Sequence, residues 1–296
     1  MNMCLPCPAP VADGVQARLS LLNRARLCPA LPGDAVPHAD DPALLADEAA
    51  FLEAARARVA ARAASAPRDP AGFLAWFEDL QQTGPGQGDT LFPWLAETCT
   101  LDQMRWFLAQ EVAGEAGFDD LTAMTLLRMP PRAKLELARN FWDEMGRGHA
   151  SAMHGPMLDS LAHHLRLDLR ADCIVWEALA LANTMAGLAA NRHYAYHAVG
   201  ALGVVELTAP GRAAQIAAGL RRLGVPRAYR HYFALHAVLD VRHSASWNRE
   251  VIVPLVQSDP RIAHAIAEGA LMRLTCGAAC FARYRAFFGA QDWPGL

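Results

Sequence analysis

Lysine is all but missing from this chain: Lys134 is the only one, and every other residue among the 27 basic ones is arginine. With 30 acidic residues the formal charge is -3, and no block of one sign stands out. There is no basic stripe to track a phosphate backbone, so nucleic acid is not an expected partner. Alternating strand patterns and internal repeats are also lacking. The start, MNMCLPCPAP, has no basic segment leading into an apolar core, which argues against a secretory signal and for a reducing cytoplasmic setting. The most apolar stretch, Cys173 to Ala190, carries Glu177 and Asn183. It reads as a buried helix rather than a membrane span. The 7 cysteines are odd in number and widely spaced, which argues against a disulfide framework. Cys4 and Cys7 form a lone CxxC, open to two readings: a small zinc or redox site, or part of an unstructured tail.

What the chain does have is apolar residues, 53% of its 296, at helical spacing. Residues 1–40 are rich in Pro and Ala and read as an arm, partly disordered. Residues 41–296 read as one all-α, bundle-like domain of about nine or ten helices. Asp41-Pro42 and Asp69-Pro70 open two of them, each an acidic cap followed by proline at the first helical position. Further helices are expected over about 90–114, through FDDLTAMTLLRM, from the prolines at 130 and 131, and over about 155–166, 172–198, 201–209 and 211–223. A long one follows across HAVLDVRH to Pro254, and a last one closes the chain.

HAVLDVRH places His236, Asp240 and His243 at i, i+4 and i+7, within about 60° of one another on a helix. Two imidazoles and a carboxylate on one face suit iron, manganese or zinc. A solvent-facing stripe, or an aspartate orienting two core histidines, would give the same pattern. One helix rarely completes a metal site, so partners must come from facing helices. Glu111, Glu144 and Glu206 each sit in apolar surroundings; Glu206 is the only charge in GALGVVELTAP. The Glu-x-x-His signature of ferritin-like diiron proteins occurs nowhere in the chain.

Taken together, FLAQE, NFWDEMGRGHASAMH, GALGVVE and HYFALHAVLDVRH resemble the haem-oxygenase-like diiron oxidases, also described as the iron-containing redox enzyme family. The resemblance covers roughly residues 90–258. It implies a haem-oxygenase-like fold and two iron ions with dioxygen as co-substrate. Their ligands would be Glu111, Glu144, His154 (ten residues after Glu144), Glu206, His236, Asp240 and His243. Glu115 is the alternative first carboxylate, and His149, five residues after Glu144, does not match the spacing. The activity so implied is oxygenation or oxidation of a small amine or amino-acid-derived substrate, in particular N-oxygenation in specialised biosynthesis. Oxidative C–C cleavage or decarboxylation at the same centre is the alternative. A metal-free helical binding protein of the same fold is a third reading. Haem degradation is disfavoured, since no histidine lies between His38 and His149 to serve near the start of the bundle.

An external electron donor and a homodimer are family-level expectations, and no membrane partner is expected. The aromatic-polar segment around Tyr194 and His197, and Arg242, are candidates for substrate contact. Core packing or surface ion pairing is the competing reading for them. Trp106, Trp142, Trp176 and Trp247 read as core.

Overall fold

A computed structural model describes residues 14–36, 38 and 41–289, and among them every regular element is helical. In chain order these are α1 (Gly14–Leu27), α2 (Pro42–Ala63), α3 (Pro70–Thr83), α4 (Leu91–Glu97), α5 (Leu101–Glu115), α6 (Phe118–Thr125) and α7 (Pro131–Glu144). Then come α8 (His154–Leu165), α9 (Trp176–Ala190), α10 (Ala195–Arg222), α11 (His231–Trp247), α12 (Val253–Ser258) and α13 (Ile262–Gly289). The all-α expectation therefore holds. Helix α10, about 42 Å long at 1.5 Å per residue, is the axis of the bundle. It packs along α11 on one side and α13 on the other, with α4 and α9 around them.

Several expected boundaries move, each for a local reason. The single helix expected over 90–114 is two, because Thr100 and Gln103 form a reciprocal capping box that starts α5 afresh. The two helices expected on either side of Pro210 are one, since α10 runs straight through it. Proline has no N–H, so the Glu206 carbonyl four residues back loses its helical donor. Beside it, the Leu207 carbonyl accepts from Gln81 Nε2 at 3.1 Å. The segment expected as one helix over 172–198 divides into α9 and the first turn of α10, with short 3-10 turns at Ala171–Cys173 and Arg192–Tyr194. The long helix leading to Pro254 changes to a π-helical stretch at Asn248–Ile252.

The break that matters most for function lies between α7 and α8. Glu144 is the last residue of α7 and His154 the first of α8. Two 3-10 turns join them, and Gly146, Arg147 and Gly148 all have positive φ (59°, 53° and 85°). A Cβ on Gly146 would lie 2.4 Å from the Ala152 carbonyl carbon, so glycine is required there on both grounds. Trp142, expected in the core, is 53% exposed and lies over Gly148.

Within residues 1–40, Gly14–Leu27 form helix α1. Leu19 and Leu22 of α1 are fully buried. Asn23 Nδ2 donates to Asn183 Oδ1 at 2.8 Å, Asn183 Nδ2 donates to the Gln16 carbonyl at 2.9 Å, and Arg26 pairs with Glu48. These partners give the buried Asn183 a structural role in fastening α1 to α9. Cys28, Cys99, Cys276 and Cys280 are free thiols, whereas Cys173 is disulfide-bonded. Cys4 and Cys7 fall outside the described residues. Helix α13 is long and apolar enough to cross a membrane, yet 61% of its most apolar window is buried within the bundle.

Helices α10 and α13 touch backbone to backbone. A Cβ on Gly200 would stand 2.0 Å from the Ile266 carbonyl oxygen, and one on Gly269 would stand 1.9 Å from that of His197. Neither neighbour is a side chain that can swing away. Gly200→Ala and Gly269→Ala are each expected to cost about 1–3 kcal/mol or more through overpacking. Lower urea midpoints would show it. Gly211→Ala, with nothing within 4 Å, should be neutral or stabilising.

Candidate metal centre

The break after Glu144 turns the chain so that α7 and α8 present consecutive donors to α10 and α11. Two groups of ligand atoms result, each with all members within 4.8 Å of one another. Glu144, His154 and His236 make the first; Glu144, Glu206 and His243 make the second. Glu144 belongs to both. Two histidines and a carboxylate are a familiar set for ferrous iron, and two carboxylates with a histidine suit the same ion.

Glu144, His154, Glu206, Asp240 and His243 are all buried, at 2–7% exposure. Three acids in one buried site repel. Burial first, then the Glu206 charge, raises Glu144 well above the usual carboxylate range. Burial, Glu206 and Glu144 raise Asp240 strongly as well. Cations would reverse both effects. Two buried atoms bear directly on whether a metal fits. His154 Nδ1 lies 2.6 Å from Glu144 Oε2 yet is not in line to hydrogen-bond it, and Asp240 Oδ1 has no hydrogen-bond partner. Buried polar atoms are almost always paired. Donors packed this closely and left unpaired fit a site completed by metal.

The histidine tautomers point the same way. His236 Nδ1 sits 2.8 Å from the Tyr232 carbonyl one turn back. With its proton donated there, Nε2 is left as the metal-facing lone pair. Burial lowers the His236 pKa to about 4, so the ring is neutral at pH 7. His243 Nε2 lies 3.0 Å from Asp143 Oδ2, and its Nδ1 faces Asn140 Nδ2 at 3.1 Å and Glu206 Oε1 at 3.4 Å. Asn140 also donates to Glu206.

Asp143 and Asn140, which contact His243 and Glu206, are residues of the cluster that sequence reasoning missed. Their only signal is position: Asn140 lies one turn before Glu144 on α7, and Asp143 is its neighbour. Asp143→Asn weakens the acceptor for the His243 proton. It should lower iron affinity about 10–100-fold, as loss of such outer partners does elsewhere. Competition with a ferrous chelator would measure it.

The remaining candidates fall elsewhere. Asp240 lines the same cavity one turn from His236, outside both ligand groups. Glu111 is not gathered into either group. It lies at another part of the cavity, where burial raises its pKa against the opposing charges of Arg273 and Arg212. Glu115 is the α5 carboxylate whose charge acts on Glu144, although its oxygens accept the Gly117 and Phe118 N–H groups at 2.9 and 3.1 Å. His149 is exposed on the connecting turn. None of the three substrate candidates lines the cavity. The Tyr194 hydroxyl donates to Glu53, His197 Nε2 is 3.0 Å from Glu268, and Arg242 is exposed on the outer side of α11.

Above the cluster lies a cavity of about 150 Å³. Leu158, Leu181, Met185, Val205 and Phe233 form apolar walls. An all-α bundle with histidines and carboxylates converging from facing helices beside such a cavity is the arrangement of a candidate metal centre. Residues 105–278 match the iron-containing redox enzyme family, and the chain belongs to that family. Among solved structures it is similar to a CADD-like protein of unknown function from Nostoc punctiforme. The 2.00 Å crystal structure matches with a TM-score of 0.55 at 16% identity, covering 72% of this chain and 95% of that one. The 1.35 Å structure gives 0.53 at 16% identity, covering 75% and 96%. At that identity the likeness speaks to fold alone. No curated protein matches the chain in sequence.

Proposed function

We propose that this member of the family holds two iron ions and uses dioxygen to oxidise a small amine or amino-acid-derived substrate, with oxygen transfer to nitrogen as the reaction. The observation that carries the two-ion reading is Glu144, whose carboxylate serves both ligand groups. When bound, ferrous iron supplies the electrons that dioxygen needs; the protein supplies geometry and exclusion of water.

Each residue has a definable part in this reading. Glu144, at the end of α7, would serve both ions, since it belongs to both ligand groups. His154 and His236, with ring centroids 4.6 Å apart, hold one position from α8 and α11. His243, steadied by Asp143, and Glu206, steadied by Asn140, hold the other. Asp240, on the same helix as His236 and His243, lines the cavity beside them and would offer a further carboxylate. Tyr232 lines the cavity beside them. Burial, then the nearby carboxylates, raise its pKa well above 10.0, so its phenol stays protonated. The apolar walls keep bulk water from the reacting atoms.

The test is a single-turnover reaction of ferrous-loaded protein with ¹⁸O₂ and a panel of amines and amino acids, read by mass spectrometry. A product labelled on nitrogen supports the proposal. Loss of a carbon fragment would replace it with oxidative C–C cleavage. Failure to take up iron would leave a metal-free binding protein.

A further inference from the structure

The chemistry-bearing residues of the cavity are not all metal ligands. Glu206, Ala209, Arg212 and Ile216 line it from one face of α10, and Arg273 enters from α13. From Glu206 to Arg212 the helix rises about 9 Å. The cavity thus has an acidic, metal-binding region and a basic one, with apolar wall between.

The two arginines are short of partners. Arg212 donates to Thr208 Oγ1 at 3.2 Å and lies 5.8 and 5.6 Å from the centroids of the Phe92 and Phe281 rings. That leaves most of its five N–H donors unused. Neither Arg212 nor Arg273 forms an ion pair among the described residues, although Arg285, from the same helix as Arg273, pairs with Asp89. Glu111 is the one acid lining the cavity whose charge acts on both. Two guanidiniums against one carboxylate leave an excess of one positive charge in a buried place. Uncompensated buried charge is costly. Burial and the like charge of Arg273 accordingly pull the Arg212 pKa down to about 10. Guanidinium forks bind carboxylates through two parallel hydrogen bonds, and a monoanion would cancel the excess charge.

We propose that Arg212 and Arg273 form a carboxylate subsite, so that the substrate is a monoanionic acid held by its carboxylate away from the metal cluster and oxidised at its other end. The second half of this statement rests on the iron reading above; the first half does not. It narrows the chemistry, because the gripped carboxyl is kept from the metal. Decarboxylation of that carboxyl group is excluded, and a distal amine or C–H bond is the target.

Hexanoate and its neutral analogue hexanamide are the probes, with binding to the full chain followed by titration calorimetry, with and without ferrous iron. Hexanoate should bind, with hexanamide weaker by about tenfold or more, the worth of a charge-assisted contact. Arg273→Gln and Arg212→Gln should each weaken hexanoate by about tenfold or more and leave hexanamide unchanged. Arg273→Lys, which keeps the charge but not the fork, should fall between and serves where the glutamine variant fails to fold. Wild-type protein should bind hexanoate within about threefold with and without ferrous iron, since neither arginine belongs to a ligand group.

Equal binding of acid and amide, no hexanoate binding, or no effect of any arginine substitution would overturn the subsite. So would hexanoate binding that requires iron, because the carboxylate would then be sitting on the metal. If the subsite holds but wild type takes up no iron, the iron reading alone has failed.

Discussion

Glu144→Ala should strip bound iron from both positions, whereas Glu206→Ala should leave one equivalent per chain. The difference follows from geometry. Glu144 is the one residue common to both ligand groups, while Glu206 serves only the group containing His243. Losing an outer hydrogen-bond partner costs about 10–100-fold in metal affinity, and losing a direct ligand should cost more. Metal analysis after anaerobic loading and desalting would register it. The fold should survive, because Glu144 is raised well above the usual carboxylate range by burial and by Glu206. Removing a buried acid from a cluster of acids relieves repulsion in the metal-free protein. Retention of one tightly held iron in Glu144→Ala would show that the carboxylate is not shared.

The metal-free protein should become less stable as pH rises from about 6.5 to 9, and iron should abolish most of that loss. Burial lowers the His243 pKa, but hydrogen bonding and charge from Glu206, Asp143 and Glu144 outweigh it and carry it from 6.5 to about 9. A folded pKa above the unfolded one contributes stability that is whole below 6.5 and lost as pH passes through 9. Glu144 and Asp240 are raised too, so the folded chain holds more protons than the unfolded one, with the same sign. At 1.36 kcal/mol per pKa unit, His243 alone accounts for about 3 kcal/mol as an upper bound. Below pH 6.5 the sign reverses for His236, whose pKa is lowered to about 4. Its buried neutral ring then costs stability as pH falls toward 4. Iron displaces the protons from His243 and the acids, so its affinity should climb with pH. Melting curves of chelator-treated and iron-loaded protein at pH 6.5 and 9 would show a wider gap at pH 9. A flat or rising metal-free curve over that range would contradict the clustering of these groups.

Much of this centre was legible in the sequence because helical spacing is rigid. HAVLDVRH could place His236, Asp240 and His243 on one face without knowing the fold. Glu206 stood out because no other charge interrupts its apolar run. Glu144 stood out from its apolar surroundings, the resemblance to the family supplied His154, and the glycines between them mark the turn that lets both face inward. Glu111 and Glu115 lie one turn apart and share a helix face, so spacing cannot choose between them. Which of them lies nearer the two ligand groups depends on how far α5 slides along its neighbours, and spacing carries no record of that.

Asn140, Asp143, Arg212 and Arg273 escaped for a related reason. Each looks like an ordinary polar position on a helix until its neighbour from another helix is known. Pro210 and the Thr100 cap misled in opposite directions. A proline that normally ends a helix sits inside one where tertiary packing holds α10 together. A threonine that could sit mid-helix begins one because Gln103 completes its box.

Anaerobic titration of the metal-free chain with ferrous iron, followed by calorimetry, tests the central claim most directly. The account predicts a break at two irons per chain, with proton release, falling to one iron in His236→Ala and one in His243→Ala. A single iron per chain in wild type, or two irons retained in His236→Ala, would contradict it.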